Sequence, residues 1–276
     1  MGRYNGQKGV GLLPLHFSFN KNFLSGRQYY ISEGERIVIR TAFITDIPQI
    51  VSLLQSIQIT TDNLDDKLSK THKDSFERRG GFFVVWNAAE LASFMEDVNN
   101  LFLVAVSRDK GKEVIIGFLW CRLDLDNILV SDWKLENKIL GNYQTKKFNM
   151  AMEKRQVFTA VECAVQPNYH GIGIAYSIIH EMYNWLWGKG YLFAVLQIYI
   201  IHGEYQNENF IKRDLPNGAS INHIKKYGAI CIKKALLPDQ IVGHRRFKIG
   251  ADVFLLDLEY AIKKLKELIT NYVVAK

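Results

Sequence analysis

Cysteine is scarce in this sequence, and its spacing excludes two common kinds of site. The chain has 276 residues and three cysteines, Cys121, Cys163 and Cys231, which lie far apart. An odd number of cysteines without a C-x-x-C spacing fits neither a disulfide framework nor a zinc site. We therefore expect reduced thiols, no metal and a cytoplasmic location.

Long apolar runs and targeting signals are also missing. Runs such as residues 192–196 are much shorter than the roughly 20 residues that cross a bilayer. The N-terminal residues lack the charged start and apolar segment of a secretory signal, and Gly6 stands where a myristoylation signal has Ser or Thr. We therefore expect no membrane association.

The charge of the chain is concentrated in one window. Residues 211–250 hold nine Lys and Arg residues and two Asp residues, an excess that equals the net charge of the whole chain, +7. This basic window fits a solvated face, a phosphate-bearing ligand or acidic partner, or nucleic acid. No nucleic-acid-binding motif accompanies it, so nucleic acid is the least favoured partner.

Apolar periodicity predicts a mixed α/β chain with a large core. The composition, 48% hydrophobic and 23% charged, is typical of a soluble globular protein. Strands are predicted at 36–43, 101–107, 114–123, 157–165, 191–200 and 253–260, and helices at 45–57, 170–190, 217–229 and 259–272. Short turns join the early strands and helices join the later ones, which indicates a sheet with both antiparallel and parallel pairs.

Three segments are predicted along the chain. Residues 1–35 form an N-terminal arm, residues 36–260 form the main domain with an insertion at 124–156, and residues 261–276 form a C-terminal amphipathic helix. The apolar side of that helix packs on its own sheet or on a partner in a homodimer, and we expect the first. Its apolar residues are Ile262, Leu265, Ile269 and Tyr272.

The most informative segment follows the strand that ends at Val165. Pro167 ends the strand, and Gly171 and Gly173 then open a helix. Glycines allow backbone N–H groups to approach a ligand, and a helix N-terminus favours anions, so the segment predicts either a phosphate or pyrophosphate site or simply a tight turn. A Rossmann motif would need a third glycine at Tyr176, and a Walker loop would need G-K-S/T; neither is present.

This segment resembles the signature of the GNAT N-acetyltransferase superfamily. That signature is a strand, V-x-P, and then R/Q-x-x-G-x-G/A at the start of a helix. It corresponds here to Val165–Pro167 and to His170–Ala175, with His170 in place of the usual Arg or Gln. The resemblance extends upstream to Arg40, Ala42, Asp46 and Pro48, and downstream to residues 217–220 and 226–229.

The resemblance implies a fold and a cosubstrate. The expected fold is a mixed, mostly antiparallel central sheet flanked by helices, which splays between the strand before and the strand after the glycine-loop helix. Acetyl-CoA or another short acyl-CoA is expected to lie in that gap as cosubstrate. The residues implied to bind it are Cys163, Ala164, Val165, His170, Gly171, Ile172, Gly173, Ile174, Ala175 and Asn217.

The resemblance leaves the catalytic groups less defined. Glu162, in the strand beside the acyl group, is the first candidate for the general base, unless it faces solvent or pairs with an arginine. Asp124, Asp126, His202 and Glu204 are the other candidates. Ile224 stands where many relatives carry the tyrosine that protonates the leaving thiolate, so Tyr227 is the candidate acid and His223 the alternative.

Three functions follow, in order of preference. The first is an N-acetyltransferase that acts on a primary amine, in a small molecule or a peptide. The second is a catalytically degenerate domain that binds acyl-CoA as a sensor or interaction module, which Ile224 favours. The third is a nucleic-acid-associated protein that uses the basic window. Cys163 is not expected to be a nucleophile, because direct transfer needs none.

Overall fold

The computed structural model describes most of the region in which strands and helices are predicted. It covers residues 27–31, 36–65, 86–109, 112–123, 141–206, 208–270 and 273–275. The strands are β1 (Arg27–Ile31), β2 (Arg36–Thr41), β3 (Asn100–Asp109), β4 (Lys112–Arg122), β5 (Val157–Val165), β6 (Phe193–Gln206), β7 (Asn209–Pro216), β8 (Ile230–Leu236), β9 (Gln240–Val242), β10 (Arg245–Asp257) and β11 (Val273–Ala275). The helices are α1 (Ile47–Ile57), α2 (Ala88–Glu96), α3 (Asn142–Glu153), α4 (Ile174–Gly188), α5 (Gly218–Lys225) and α6 (Leu258–Ile269).

One sheet contains all of these strands. Its order is β11-β1-β2-β3-β4-β5-β6-β10-β8, with β7 also paired to β6 and β9 to β10. The pair β5–β6 is parallel, and every other described pair is antiparallel. This confirms the predicted fold class, a mixed and mostly antiparallel sheet flanked by helices.

Helices cover both faces of the sheet, as the alternation of apolar residues along the strands requires. Leu103 and Leu119 belong to the core cluster that contains α4 and α6, whereas their neighbours Phe102 and Phe118 belong to the cluster of α1 and α2. Successive strand residues point to opposite faces, so these clusters lie on opposite sides. We call the two sides the α4 face and the α1 face. Helix α3 also packs on the α1 face.

The segment boundaries differ from the predicted ones. Strand β1 pairs with β2 and β11, so Arg27–Ile31 belongs to the sheet although it was assigned to the arm. Helix α6 begins at Leu258, and its Leu265 and Ile269 are buried in the core that contains α4, which confirms packing on its own domain. Helix α3 lies inside the predicted insertion. Residues 1–26, 124–140 and Tyr272 lie outside the described part of the chain.

The parallel pair β5–β6 is short, and its two strands then separate. They pair from Val157 with Phe193 to Ala160 with Leu196. Beyond that point β6 pairs with β7, from Ile200 onwards, and β5 has a register shift against β4 that leaves Val161 as the extra residue of a bulge. The sheet therefore splays between the strands before and after α4, as expected from the resemblance.

No helix in the described ranges is long and apolar enough to cross a membrane.

Candidate active site

A cleft of about 580 Å³ opens where β5 and β6 separate. Its walls are β5 after Ala160, the glycine turn before α4, residues 196–199 of β6, and α5 with the turn that follows it. Of the residues implied to bind acyl-CoA, these line the cleft: Cys163, Val165, His170, Gly171, Gly173, Ile174, Ala175 and Asn217. Ala164 packs in the core of the α1 face instead, and Ile172 packs against the core of the α4 face.

The glycine turn is held in a conformation that glycine adopts most readily. Gly171 has φ 83°, and Gly173, the N-cap of α4, has φ 88° in the left-handed region. Other L-residues are strained there by their Cβ atoms. The first N–H groups of a helix have no intrahelical partners and carry partial positive charge, so this end of α4 is suited to an anion.

His170 stabilises this turn through a hydrogen bond to the end of β5. Its Nε2 lies 2.8 Å from the carbonyl oxygen of Val165, to which it donates because a carbonyl oxygen only accepts. Gln166 connects the same segment to β4 through two hydrogen bonds. Its backbone N–H donates to the carbonyl oxygen of Ile116 and its Nε2 donates to that of Ile115, each at 2.9 Å. His170 therefore fixes the end of β5 to the start of the turn.

Glu162 is a buried carboxyl group on the cleft wall. Its residue is 7% exposed, and its Oε2 has no hydrogen-bond partner in the described structure. Burial raises the pKa of Glu162 to about 8, although a hydrogen bond from the Trp86 indole lowers it. Among the described residues no arginine forms an ion pair with Glu162, so the alternative of an arginine partner is not observed there. A buried acid with a pKa near neutrality is suited to proton transfer.

Tyr227 carries a buried hydroxyl group at the wall of the cleft, three residues after Ile224. Both residues line the cleft and are buried, and the Tyr227 hydroxyl has no partner in the part of the chain described. Burial, and then the nearby Cys163, raise the pKa of Tyr227 well above its usual value. The phenol is therefore protonated and able to donate.

His223 packs between two cleft aromatics. Its ring stacks on Tyr176 with centroids 4.3 Å apart and lies edge-on to Tyr227 at 5.5 Å. Burial, and then Lys226, lower the pKa of His223 to about 4. The imidazole is therefore neutral near pH 7, which suits it less than Tyr227 to act as the acid.

The Cys163 thiol is protonated as well. Burial, and then the adjacent Glu162, raise the pKa of Cys163 to about 12. Because the thiolate is the nucleophilic form, this environment argues against covalent catalysis by Cys163.

Two other candidates for the base, His202 and Glu204, do not line the cleft. His202 sits at a bulge in β6 and approaches Asp214 at 3.3 Å, whereas Glu204 binds Arg213 at 2.6 Å and also Arg245. Burial alone would raise the pKa of Glu204, but the hydrogen bonds from both arginines lower it. Asp124 and Asp126 lie outside the described residues.

Among the cleft residues that escaped prediction, two lie on β6. Gln197 and Tyr199 stand on β6 across the gap from Glu162, at the only stretch of β6 that neither β5 nor β7 pairs. Their signal in the sequence is weak, since a single polar or aromatic residue in a buried strand is ordinary. No group of three or more His, Cys, Asp or Glu side chains suited to a metal ion occurs within the described ranges.

Comparison with known proteins gives distant structural likeness. No protein-family model matches the chain, and no curated protein matches it. Among solved structures, Arabidopsis thaliana NAA60 in complex with acetyl-CoA is 14% identical, with 81% of this chain and 99% of that chain covered and a TM-score of 0.49.

Two bacterial enzymes are similar to a comparable degree. The Escherichia coli ribosomal-protein-S18-alanine N-acetyltransferase is 13% identical, with 80% of this chain and 94% of that chain covered and a TM-score of 0.45. A GCN5-related N-acetyltransferase from Kribbella flavida is 12% identical, with coverage of 80% and 97% and a TM-score of 0.45.

Proposed function

We propose that the chain is an acyl-CoA-dependent N-acyltransferase, which transfers an acetyl group from acetyl-CoA to a primary amine by direct attack. One observation carries the proposal. The cleft at the separated β5–β6 pair combines a glycine turn suited to an anion with two buried polar atoms, Oε2 of Glu162 and the hydroxyl oxygen of Tyr227, that lack hydrogen-bond partners in the described structure. Buried groups without partners are costly and often mark a ligand or catalytic site.

The cleft suits the parts of a coenzyme A molecule. The N–H groups from Gly171 to Ala175 would hold the pyrophosphate, and the β5 edge from Cys163 to Val165, which β6 leaves unpaired, would bind the amides of the pantetheine arm. Lys226 lines the same cleft and adds positive charge. Asn217 caps α5 through the Ser220 N–H, so it sets the wall formed by that helix.

Each catalytic group has one task in this proposal. Acetyl-CoA supplies the activated acetyl group. Glu162 takes a proton from the amine, and Tyr227 returns one to the departing thiolate. Backbone N–H groups near Cys163 stabilise negative charge on the carbonyl oxygen, an effect worth roughly 2.7–4 kcal/mol per donor in comparable sites.

A second candidate is an acyl-CoA sensor without activity. The observation that favours it is Ile224, which faces the cleft and cannot donate a proton. The enzyme and the sensor both bind acetyl-CoA, and only the enzyme turns it over in the presence of an amine.

The first test is calorimetric titration with acetyl-CoA, with desulfo-CoA and NADH as comparisons, followed by thiol release on a panel of amines. We expect micromolar binding of the two coenzyme A forms alone. Tyr227→Phe should keep this affinity and lose about 100-fold in kcat, because only the proton donor is removed. Tyr260→Phe, an exposed tyrosine on α6, is the matched control.

Each outcome decides between the candidates. Binding with turnover supports the enzyme, and binding without turnover on the whole panel supports the sensor. Absence of binding rejects both, and unchanged kcat in Tyr227→Phe removes that residue from the mechanism.

A further inference from the structure

The cleft has a second polar wall, on the side away from the glycine turn. Gln197 and Tyr199 project from β6 to the α1 face, because the intervening Ile198 packs in the core of the α4 face. Glu162 reaches this side from β5, where it contacts Trp86. Burial, and then the charge of Glu162, raise the pKa of Tyr199, which shows that the two walls are close at this point.

Two buried atoms of this wall lack hydrogen bonds to the described residues. They are Oε2 of Glu162 and Nε2 of Gln197, and both residues line the cleft. A buried polar atom without a partner costs about 1–3 kcal/mol, so two on facing strands are unusual. One atom accepts and the other donates, yet they do not bond to each other. A ligand between them would satisfy both.

The chemistry of the two atoms restricts that ligand. In its ionised form, which is the form that acts as a base, the carboxyl group needs an N–H donor, which any primary amine provides. The Gln197 amide needs an acceptor a few bonds from that nitrogen. The α-amine of a peptide meets both requirements, because its first carbonyl oxygen lies next to the carbon that carries the amine. A lysine side chain has only methylene groups beside its amine.

We propose that Gln197 determines acceptor specificity and that the acceptor is the free α-amine of a peptide, with its first carbonyl oxygen bound by the Gln197 amide. This inference rests on the proposed function and assigns the substrate class of the same cleft.

The charges that line the cleft and the pKa of Glu162 both support a peptide α-amine as the acceptor. Among the described cleft residues, the cation is Lys226, which lies on the wall formed by α5 and not on the wall of Gln197. A neutral peptide carbonyl therefore fits beside Gln197 better than the carboxylate of a free amino acid. The pKa of Glu162, about 8, also matches an α-amine at about 7.7–8.0 more closely than a lysine at about 10.4.

The experiment compares two short peptides of equal length. One has a free α-amine and no lysine, and the other has an acetylated N-terminus and one lysine. Each is titrated into the protein saturated with desulfo-CoA and then assayed with acetyl-CoA. We expect the free α-amine peptide to bind and react, and the blocked peptide to do so at least about tenfold more weakly.

Gln197→Ala tests the residue itself. It should raise KM for the α-amine peptide about tenfold, as expected for one lost hydrogen bond, and leave acetyl-CoA affinity unchanged. The matched control is Gln206→Ala, on the same strand, where the glutamine bonds to Glu204 away from the cleft. An unchanged KM in Gln197→Ala, or a preference for the blocked lysine peptide, would overturn the inference.

The experiment distinguishes failure of the proposed function from failure of the acceptor assignment. If neither acetyl-CoA nor desulfo-CoA binds, the cofactor site is wrong and the acceptor assignment falls with it. If acetyl-CoA binds and lysine is the preferred acceptor, the acyltransferase proposal stands and only the acceptor class is overturned.

Discussion

Glu162 is a residue type that is ordinarily ionised in water, but here its carboxyl group is buried. Its neighbour Val161 is the extra residue of the β5 bulge, and the carboxyl group lies between the core of the α1 face and the cleft. Burial of a carboxylate costs free energy, and the protein avoids that cost below pH 8 by keeping the proton. The same burial raises the proton affinity of the carboxylate, so it can act as a base near neutral pH.

Glu162→Gln should therefore make the protein more stable and less active. The unfolded carboxyl group titrates near 4.5 and the folded one near 8, so the folded state binds the extra proton between these values and stability falls as pH rises through them. The neutral amide removes this loss, on the order of 3 kcal/mol at pH 7. Urea unfolding from pH 4 to 9 measures the gain, which should be small at pH 4 and level off above pH 8.

The activity of the same variant provides the second half of this prediction. In the wild-type protein, kcat/KM should rise with pH toward 8 as Glu162 loses its proton, and Glu162→Gln should lose that limb and at least about 100-fold in rate. Glu153→Gln, an exposed residue at the end of α3, is the control. A wild-type pH profile retained in Glu162→Gln would remove Glu162 from the role of base.

At the scale of elements, the turn between β5 and α4 decides ligand binding. Gly173→Val should abolish acetyl-CoA binding, because its Cβ branch would occupy the space beside the first N–H groups of α4. The left-handed φ of 88° adds a strain of roughly 1–2 kcal/mol, so some loss of stability is expected as well.

Gly141→Val separates these two effects. Gly141 precedes α3 with φ 76° and with nothing within 4 Å of its Cβ position, and it does not line the cleft. Its ψ of 159° places it in a backbone region almost restricted to glycine, so Gly141→Val should lose at least as much stability and still keep acetyl-CoA affinity. Urea unfolding measures the first and calorimetry the second. Normal affinity in Gly173→Val would show that the cofactor does not use this turn.

Elements with strong periodicity were predictable, and those defined by pairing were not. The amphipathic α4 and the apolar β5 match their predicted ranges closely. β7 was missed because its sequence, NFIKRDLP, is largely exposed and gains its strand conformation from hydrogen bonds to β6. The bulge at His202 was also unpredictable, and it interrupts the simple alternation of side chains along β6.

At the scale of the whole molecule, the fold neutralises part of the basic window. Four of its cations form ion pairs: Lys212 with Asp214 at 2.8 Å, Arg213 with Glu204 at 2.6 Å, Arg245 with Asp65 at 2.7 Å, and Arg246 with Asp239 at 2.7 Å. Two of these acids, Glu204 and Asp65, come from outside the window. The sequence count therefore overstates the positive field that a partner would meet.

We accordingly expect weak nucleic-acid binding. Fluorescence anisotropy with labelled single-stranded RNA and duplex DNA at 150 mM salt should give dissociation constants no lower than about 10⁻⁶ M, the range of non-specific contacts. Acetyl-CoA titrated under the same conditions is the comparison. Nanomolar nucleic-acid binding with a steep dependence on salt would favour the third function considered from the sequence.

The sequence by itself determined the elements of the fold class and the glycine turn, and the family resemblance implied where the sheet splays. Those features follow from local patterns: alternation along strands, helical periodicity, and glycines at a helix N-terminus. Glu162 and Tyr227 were also candidates from their places in the motif, although these roles are still predictions. Local pattern was sufficient here because each feature depends on residues close together in the chain.

Only the tertiary structure decided which polar groups share a volume. Glu162 and Gln197 are on strands that the chain joins through α4, and they meet at one side of the cleft because the β5–β6 pair ends after Ala160 and Leu196. The pairing of Glu204 with Arg213 and Arg245 likewise joins three strands and removes it from catalysis. Burial and unsatisfied hydrogen bonds arise from packing between distant segments, so no local pattern carries them.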